Sequence, residues 1–227
     1  MQKDLNLYGD VLVKTTGKHG ADIASQRMDD LDVEALHHAL TIRDGKGTAI
    51  DLGCGLGIQG LRFASYGIRT ILIDWLPAEM TVLRADGIDR LMPLSHIMKD
   101  AKSLVDSDMP DNISICYSQR FIHYLAFDDA VKLLRLMRGR MIDGAKLFIS
   151  ASGLHSELGN GYSAQDLPLE KRFAPLCQEM AEKHDIREPV CLYTTADLES
   201  LCVLTCFRAE RVFTSAFGNV KGIFTAA

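Results

Sequence analysis

The feature that most constrains this chain is Asp51-Leu52-Gly53-Cys54-Gly55-Leu56-Gly57, a glycine-rich turn set between a short apolar run and a stretch with helical spacing. Thr48 to Leu52 reads as a strand, and Ile58 to Tyr66 follows with Ile58, Leu61 and Ala64 or Ser65 on one face. Glycines here let the backbone take positive φ and approach a ligand with no Cβ in the way. The free N–H groups at the start of the next helix would then face that ligand. The motif alone also admits a plainer reading, a tight βα turn with nothing bound. Its spacing is GxGxG, although Gly60 falls three residues later, where a dinucleotide fingerprint would have its third glycine.

The same alternation continues. Arg69 to Ile73 is a second strand ending at Asp74-Trp75, and Pro77 sits where a first helical turn tolerates it, opening a helix through Met92. His96 to Met98 is a weaker strand ending at Asp100, and Ile113 to Tyr117 is a fourth. A helix over Asp128 to Met141 should close at Gly144 before a fifth strand, KLFISAS. Strands and helices in this order imply an α/β, doubly wound, mainly parallel sheet. The runs RAERVFTSAF and VKGIFTA, separated by Gly218-Asn219, read as a C-terminal antiparallel hairpin, giving seven strands in one domain over residues 1–227. Two segments stand outside the repeat and are expected to act as lids. One is 1–45, with a helical stretch from Ala21 to Leu40. The other is 153–189, which begins Gly- and Ser-rich, continues with a helix over Leu169 to Lys183, and is expected to cover the substrate site.

Charge and composition narrow the function classes. The formal net charge is −5 and no segment gathers a basic stripe, so nucleic acid is a disfavoured partner. Arg135, Arg138 and Arg140 read as the solvated face and end of a helix. No apolar run reaches the roughly 18–20 residues of a membrane span, and MQKDLNLYGD lacks a signal-peptide core, so a cytoplasmic location is expected. The six cysteines form no CxxC pair and read as reduced, mostly buried thiols. The pairs His37-His38, Asp29-Asp30 and Asp128-Asp129 lack further ligands at fixed spacing; they read as solvated surface, and no metal is expected.

Asp74 gives the glycine turn its second constraint. It ends the second strand about 20 residues after the loop, where a carboxylate can accept from both hydroxyls of a ribose. With Asp51 before the glycines, residues 47–150 and the terminal hairpin resemble the class I S-adenosylmethionine-dependent methyltransferases, whose first motif is an acidic residue followed by GxGxG. The resemblance implies a Rossmann-like sheet and S-adenosyl-L-methionine as cofactor. Gly53, Gly55 and Gly57 would pass under the methionine moiety, Asp51 would orient the loop and the amino group, Asp74 would hold the ribose, and Trp75 would lie against the adenine. Asp100, with Ala101 beside it, matches the position that accepts the adenine amino group; as a residue it reads equally as a helix N-cap. Ser118 opens the segment that lines the cofactor pocket in that family.

Within that segment His123 stands where many small-molecule methyltransferases carry a histidine, which makes it the candidate catalytic base; a packed, hydrogen-bonded histidine is the alternative. His19 and the His37-His38 pair are the other candidate bases. The Asn/Asp-Pro-Pro-aromatic tetrapeptide of the amino-methylating DNA and glutamine enzymes is absent, which argues against those acceptors. The expectation is methyl transfer to an oxygen or nitrogen of a small molecule. The alternatives are an enzyme of the same fold acting on RNA or protein, and a protein that binds S-adenosylmethionine without catalysis. A nicotinamide dinucleotide fits less well, because Asp51 would repel a pyrophosphate.

Overall fold

The computed structural model describes residues 28–42, 47–78, 81–84 and 87–227. The central strand β1 (Thr48–Leu52) is buried at every position, as a strand covered on both faces must be. It pairs in parallel with β2 (Arg69–Asp74) on one side and with β4 (Ile113–Ser118) on the other. Beyond β2 lies β3 (Leu94–Met98); beyond β4 lies β5 (Met141–Ala151). The last two strands, β6 (Phe207–Thr214) and β7 (Val220–Ala226), form the antiparallel hairpin. β7 inserts between β5 and β6, so the sheet order is β3-β2-β1-β4-β5-β7-β6. The chain leaves β1 towards β2 and β3, then returns to β4 and β5 on the other side. That reversal opens a crevice at the carboxyl ends of β1 and β4, where doubly wound sheets bind ligands.

Helices cover both faces. On one, α1 (Asp30–Ile42) and α2 (Ile58–Ser65) bury Leu31, Ala35, Ala39 and Phe63 against Ala49, Ile115, Tyr117 and Phe148. On the other, α4 (Phe127–Arg140) turns Ala130, Val131, Leu133, Leu134 and Met137 inward, and α6 (Thr195–Leu204) adds Leu198, Leu201 and Cys202. The α4 termini carry Asp128 and Asp129 at the start and Arg138 and Arg140 at the end, matching the helix dipole. Thr194 and Asp197 cap α6 reciprocally. No helix among the described residues is long and apolar enough to cross a membrane.

Several sequence expectations need correction. The stretch after Pro77 is not one helix: a 3₁₀ turn at Val82–Arg84 and the short α3 (Ile88–Leu91) are separated by Gly87, whose φ of 78° cannot continue a right-handed helix. Gly144 does not cap α4, which passes directly into β5 at Met141. Gly144 instead lies inside β5 at φ 79°, where the pairing with β4 shifts between Ile113 and Ile115. The expected helix over Leu169–Lys183 is a 3₁₀ turn at Leu169–Lys171 and then α5 (Gln178–His184). Between them Ala174 pairs with Val190, the extended conformation that Pro175 imposes on its predecessor.

The two segments outside the βα repeat are built in different ways. The part of 1–45 described as α1 is a core helix, starting at Asp30 because Asp29 and Asp32 cap it reciprocally; Ala21–Arg27 lie outside the described residues. The 153–189 segment has a core of its own, with Leu158, Tyr162, Leu176, Met180 and Ile186 packed against Val190, Leu192 and Tyr124. Its fixed point is Arg172, which is 7% exposed. Arg172 donates to the Leu167 carbonyl at 2.9 Å, the Leu192 carbonyl at 3.0 Å and the Asp197 carboxylate at 2.5 Å. All six cysteines are free; Cys116, Cys191 and Cys202 are buried, Cys54 and Cys177 half-buried, and Cys206 is exposed.

Candidate active site

The glycine loop is shaped by three backbone demands. Gly53, Gly55 and Gly57 all have positive φ, at 67°, 52° and 77°. The Gly53 and Cys54 N–H groups donate to the Ile73 carbonyl at 2.8 and 3.2 Å, which ties the loop to the end of β2. A Cβ at Gly53 would lie 2.2 Å from the Phe121 ring, and one at Gly57 would lie 2.7 Å from Leu72. Gly60 is just as constrained, with Leu72 at 2.2 Å from its Cβ position, which is why α2 can lie close on β2. Gly55 is different: nothing lies within 4 Å of its Cβ position. Its α-carbon faces open space, so packing within the protein does not account for a glycine there.

Two carboxylates hold the loop from below and from the side. Asp51 is buried in β1 and accepts from the Gly60 N–H at 2.8 Å. Burial pushes its carboxyl up to about 8, with the nearby Asp74 charge adding to the rise and the Gly60 N–H opposing it. Asp74, at the end of β2, accepts from the Gly55 N–H at 2.8 Å through one oxygen and from the Leu76 N–H at 3.0 Å through the other. Burial raises its carboxyl too, against those backbone N–H groups. The Trp75 N–H also bonds to Asp74, so three backbone donors leave about one lone pair of the carboxylate for a further donor.

The remaining predicted positions fall round the same end of the sheet. Trp75 is half exposed, and Leu56 and Met98 also present apolar surface to solvent there. Asp100 is an exposed cap on the 3₁₀ turn Ala101–Ser103, accepting from the Lys102 N–H at 2.9 Å. Ser118, the last residue of β4, is buried, and its hydroxyl has no hydrogen-bond partner among the described residues. Such an orphaned group normally belongs to a ligand or ordered water. Among the described residues no three His, Cys, Asp or Glu side chains are grouped to hold a metal ion.

No protein-family model and no curated protein sequence matches the chain. Solved structures do. An S-adenosylmethionine-dependent methyltransferase from Clostridium acetobutylicum superposes with a TM-score of 0.64 at 9% identity, over 89% of this chain and 94% of that one. The Burkholderia thailandensis 1,6-didemethyltoxoflavin-N1-methyltransferase, solved with 1,6-didemethyltoxoflavin and S-adenosylhomocysteine, gives 0.61 at 11% identity, over 90% and 80%. The mitomycin 7-O-methyltransferase MmcR gives 0.56 at 16% identity over 85% of this chain, which spans about half (54%) of its length. This is the class I methyltransferase fold.

In the methyltransferase fold of this chain, the backbone after β4 turns sharply. Arg120 sits at φ 54°, with its N–H bonded to the carbonyl and hydroxyl of Ser150 at 3.0 and 2.9 Å. His123 follows in a 3₁₀ turn and is buried, its ring 4.1 Å from that of Tyr124 and its nitrogens 3.3–3.4 Å from the Ser152 hydroxyl and N–H. Burial, then the Arg120 charge, pushes its imidazole down to about 3. Of the other candidate bases, His37 and His38 lie at the middle of α1, about 10 Å along the helix from its start at Asp30. His19 lies outside the described residues.

A cavity of about 310 Å³ opens beside this turn, between the start of α1, Gln119 and Arg120, and the β6–β7 turn. Sequence reasoning missed its wall. Lys221 of β7 is almost wholly buried and pairs with Asp29 at 2.8 Å and with Asp30. Gln119 donates to Asp29 at 2.8 Å. The Asp29-Asp30 pair is therefore an anchored wall of a cavity, not the solvated surface expected of it. Lys221 stands at the second position of the apolar run VKGIFTA, and no local pattern marks it for burial or names the acid that meets it.

Proposed function

We propose that this chain is an enzyme that binds S-adenosylmethionine at the glycine loop and transfers its methyl group to an oxygen or nitrogen of a small molecule. The observation that carries the reading is Gly55. Protein atoms occupy the Cβ positions of Gly53 and Gly57, whereas Gly55, held at φ 52°, leaves open space beside its backbone at the crevice, where a ligand can approach. Asp74 supports the ribose role, its carboxylate aligned by backbone N–H groups at the end of β2 beside the glycine loop. The unpartnered Ser118 hydroxyl fits a polar ligand lying across the end of β4. The exposed Trp75 fits an adenine face.

S-adenosylmethionine, held by the glycine loop and Asp74, would supply a methyl group already activated by its sulfonium to the acceptor's lone pair, and the acceptor's proton would pass to solvent. The protein's part is alignment and exclusion of water. The 153–189 segment, built on its own core beyond β5, packs against the β6–β7 turn, where Gly153 and Ser156 lie beside Gly218, and so backs the cavity rather than lining it. The cavity volume suits a small metabolite, which favours that acceptor class over RNA or protein. His123 serves as base only for an acceptor that reaches its buried ring; its neutral imidazole and Ser152 contacts favour the second reading, a residue that fixes the turn after β4.

Calorimetric titration with S-adenosylhomocysteine and with NAD tests the reading. Micromolar binding of the first and none of the second is expected. Gly55→Val should lose at least a hundredfold in S-adenosylhomocysteine affinity while keeping its circular dichroism spectrum, despite a strain of about 1–3 kcal/mol from a branched residue at positive φ. Retained binding would reduce the loop to a turn.

A further inference from the structure

Resting on the reading of a small-molecule methyltransferase, the charges around the cavity go one step further, to the chemistry of the acceptor. Asp29 and Asp30 are already satisfied, because the buried Lys221 ammonium lies against both. Arg120 is not. Its Nε is buried with no hydrogen-bond partner among the described residues, and its guanidinium pairs with no described carboxylate. Arg120 is half-buried, and the planar fork of its N–H groups can hold a carboxylate through two parallel hydrogen bonds. Its backbone is pinned to Ser150 in a left-handed conformation, so the side chain starts from a fixed point beside the cavity. Met28 and Phe217 add apolar surface to the same cavity, whose 310 Å³ accommodates about one ring with its substituents.

We propose that Arg120 is the carboxylate anchor of the acceptor site, and that the acceptor is a small carboxylic acid about one ring in size. Asp29 and Asp30 do not claim Arg120: the Lys221 ammonium lies against both, and the Gln119 amide donates to Asp29.

The test uses the full chain saturated with S-adenosylhomocysteine. Calorimetry or ligand-observed NMR compares 4-hydroxybenzoate, anthranilate and 4-hydroxyphenylacetate, each against its own methyl ester, which has the same shape without the charge. At least one acid is expected to bind tenfold or more tightly than its ester. That preference should vanish in Arg120→Gln, with S-adenosylhomocysteine affinity and thermal midpoint unchanged. Arg120→Lys, which keeps the charge and loses the fork, should retain part of it. Acids and esters binding alike, no acid binding at all, or a preference that survives Arg120→Gln would each overturn the anchor. Failure of S-adenosylhomocysteine to bind would instead overturn the methyltransferase reading, and the acid-ester comparison on the unliganded chain would then decide the anchor alone.

Discussion

The two sides of the crevice are built by different means. The glycine-loop side is built mostly from one stretch: residues 51–60 form strand end, turn and helix start, and they are braced by the end of β2, by Val82, by Phe121 and, through Gln59, by Asp32 of α1. The other side is assembled from afar. Lys221 meets Asp30 across 191 residues, Gln119 meets Asp29 across 90, and Arg172 meets Asp197 across 25. A site can thus have a half written as a local pattern, which tolerates no rearrangement, and a half that exists only after the whole sheet has closed. The first should govern cofactor binding and the second the acceptor wall and stability.

Substitutions that separate the halves test this division. The largest effect is expected from Arg172→Met, which strands the Leu167 and Leu192 carbonyls and breaks a buried ion pair with Asp197. A loss of about 3–5 kcal/mol in urea unfolding is expected. At concentrations where the variant remains folded, S-adenosylhomocysteine affinity should stay within a few-fold of the parent; a large loss would mean that the halves are coupled. Asp74→Ala reverses the pattern. It should weaken S-adenosylhomocysteine binding by about 1.5–3 kcal/mol, the scale for a charge-assisted hydrogen bond, while unfolding changes less. Unchanged affinity would remove Asp74 from the ribose role.

The smallest effect, taken per pH unit, is a pH dependence beneath the loop. The folded value of Asp51, about 8, lies above its ordinary value of 3.8. The folded state therefore keeps a proton that the unfolded chain has released, and stability falls as pH rises from about 4 to about 8. Asp51→Asn can still accept from Gly60 and should remove this decline, at most about 1.4 kcal/mol per pH unit. The advantage of the variant should be greatest near pH 8 and disappear towards pH 4. Parallel curves for the two proteins would show that Asp51 ionises freely.

The difference between the halves also explains what could be read in the sequence. β1, α2, β2, β4, α4 and the hairpin lie within a residue or two of their expected places, because each has a periodic apolar pattern bounded by glycine or a charged turn. The stretch after Pro77 and the Leu169–Lys183 segment have helical composition, but Gly87 and Pro175 break the hydrogen-bond ladder within them. Gly144 was misassigned because a positive-φ glycine looks the same in a cap and in a bulge. The glycine loop and Asp74 were legible as a spacing. Arg120 and Lys221 were not, since nothing local says that a charge in an apolar run will be buried or which acid will meet it.

The place of β7 matters for how the molecule is made. β7 fills the slot between β5 and β6, with all seven of its residues buried, and it carries the ammonium that fastens the start of α1. During synthesis the earlier strands emerge in order, but β5 keeps an open edge and α1 lacks its clasp until residues 220–226 have left the ribosome. Until then the nascent chain exposes a long unpaired strand of the kind that invites mispairing with other chains. The cavity whose lining includes Lys221 is accordingly among the last features of the fold to form.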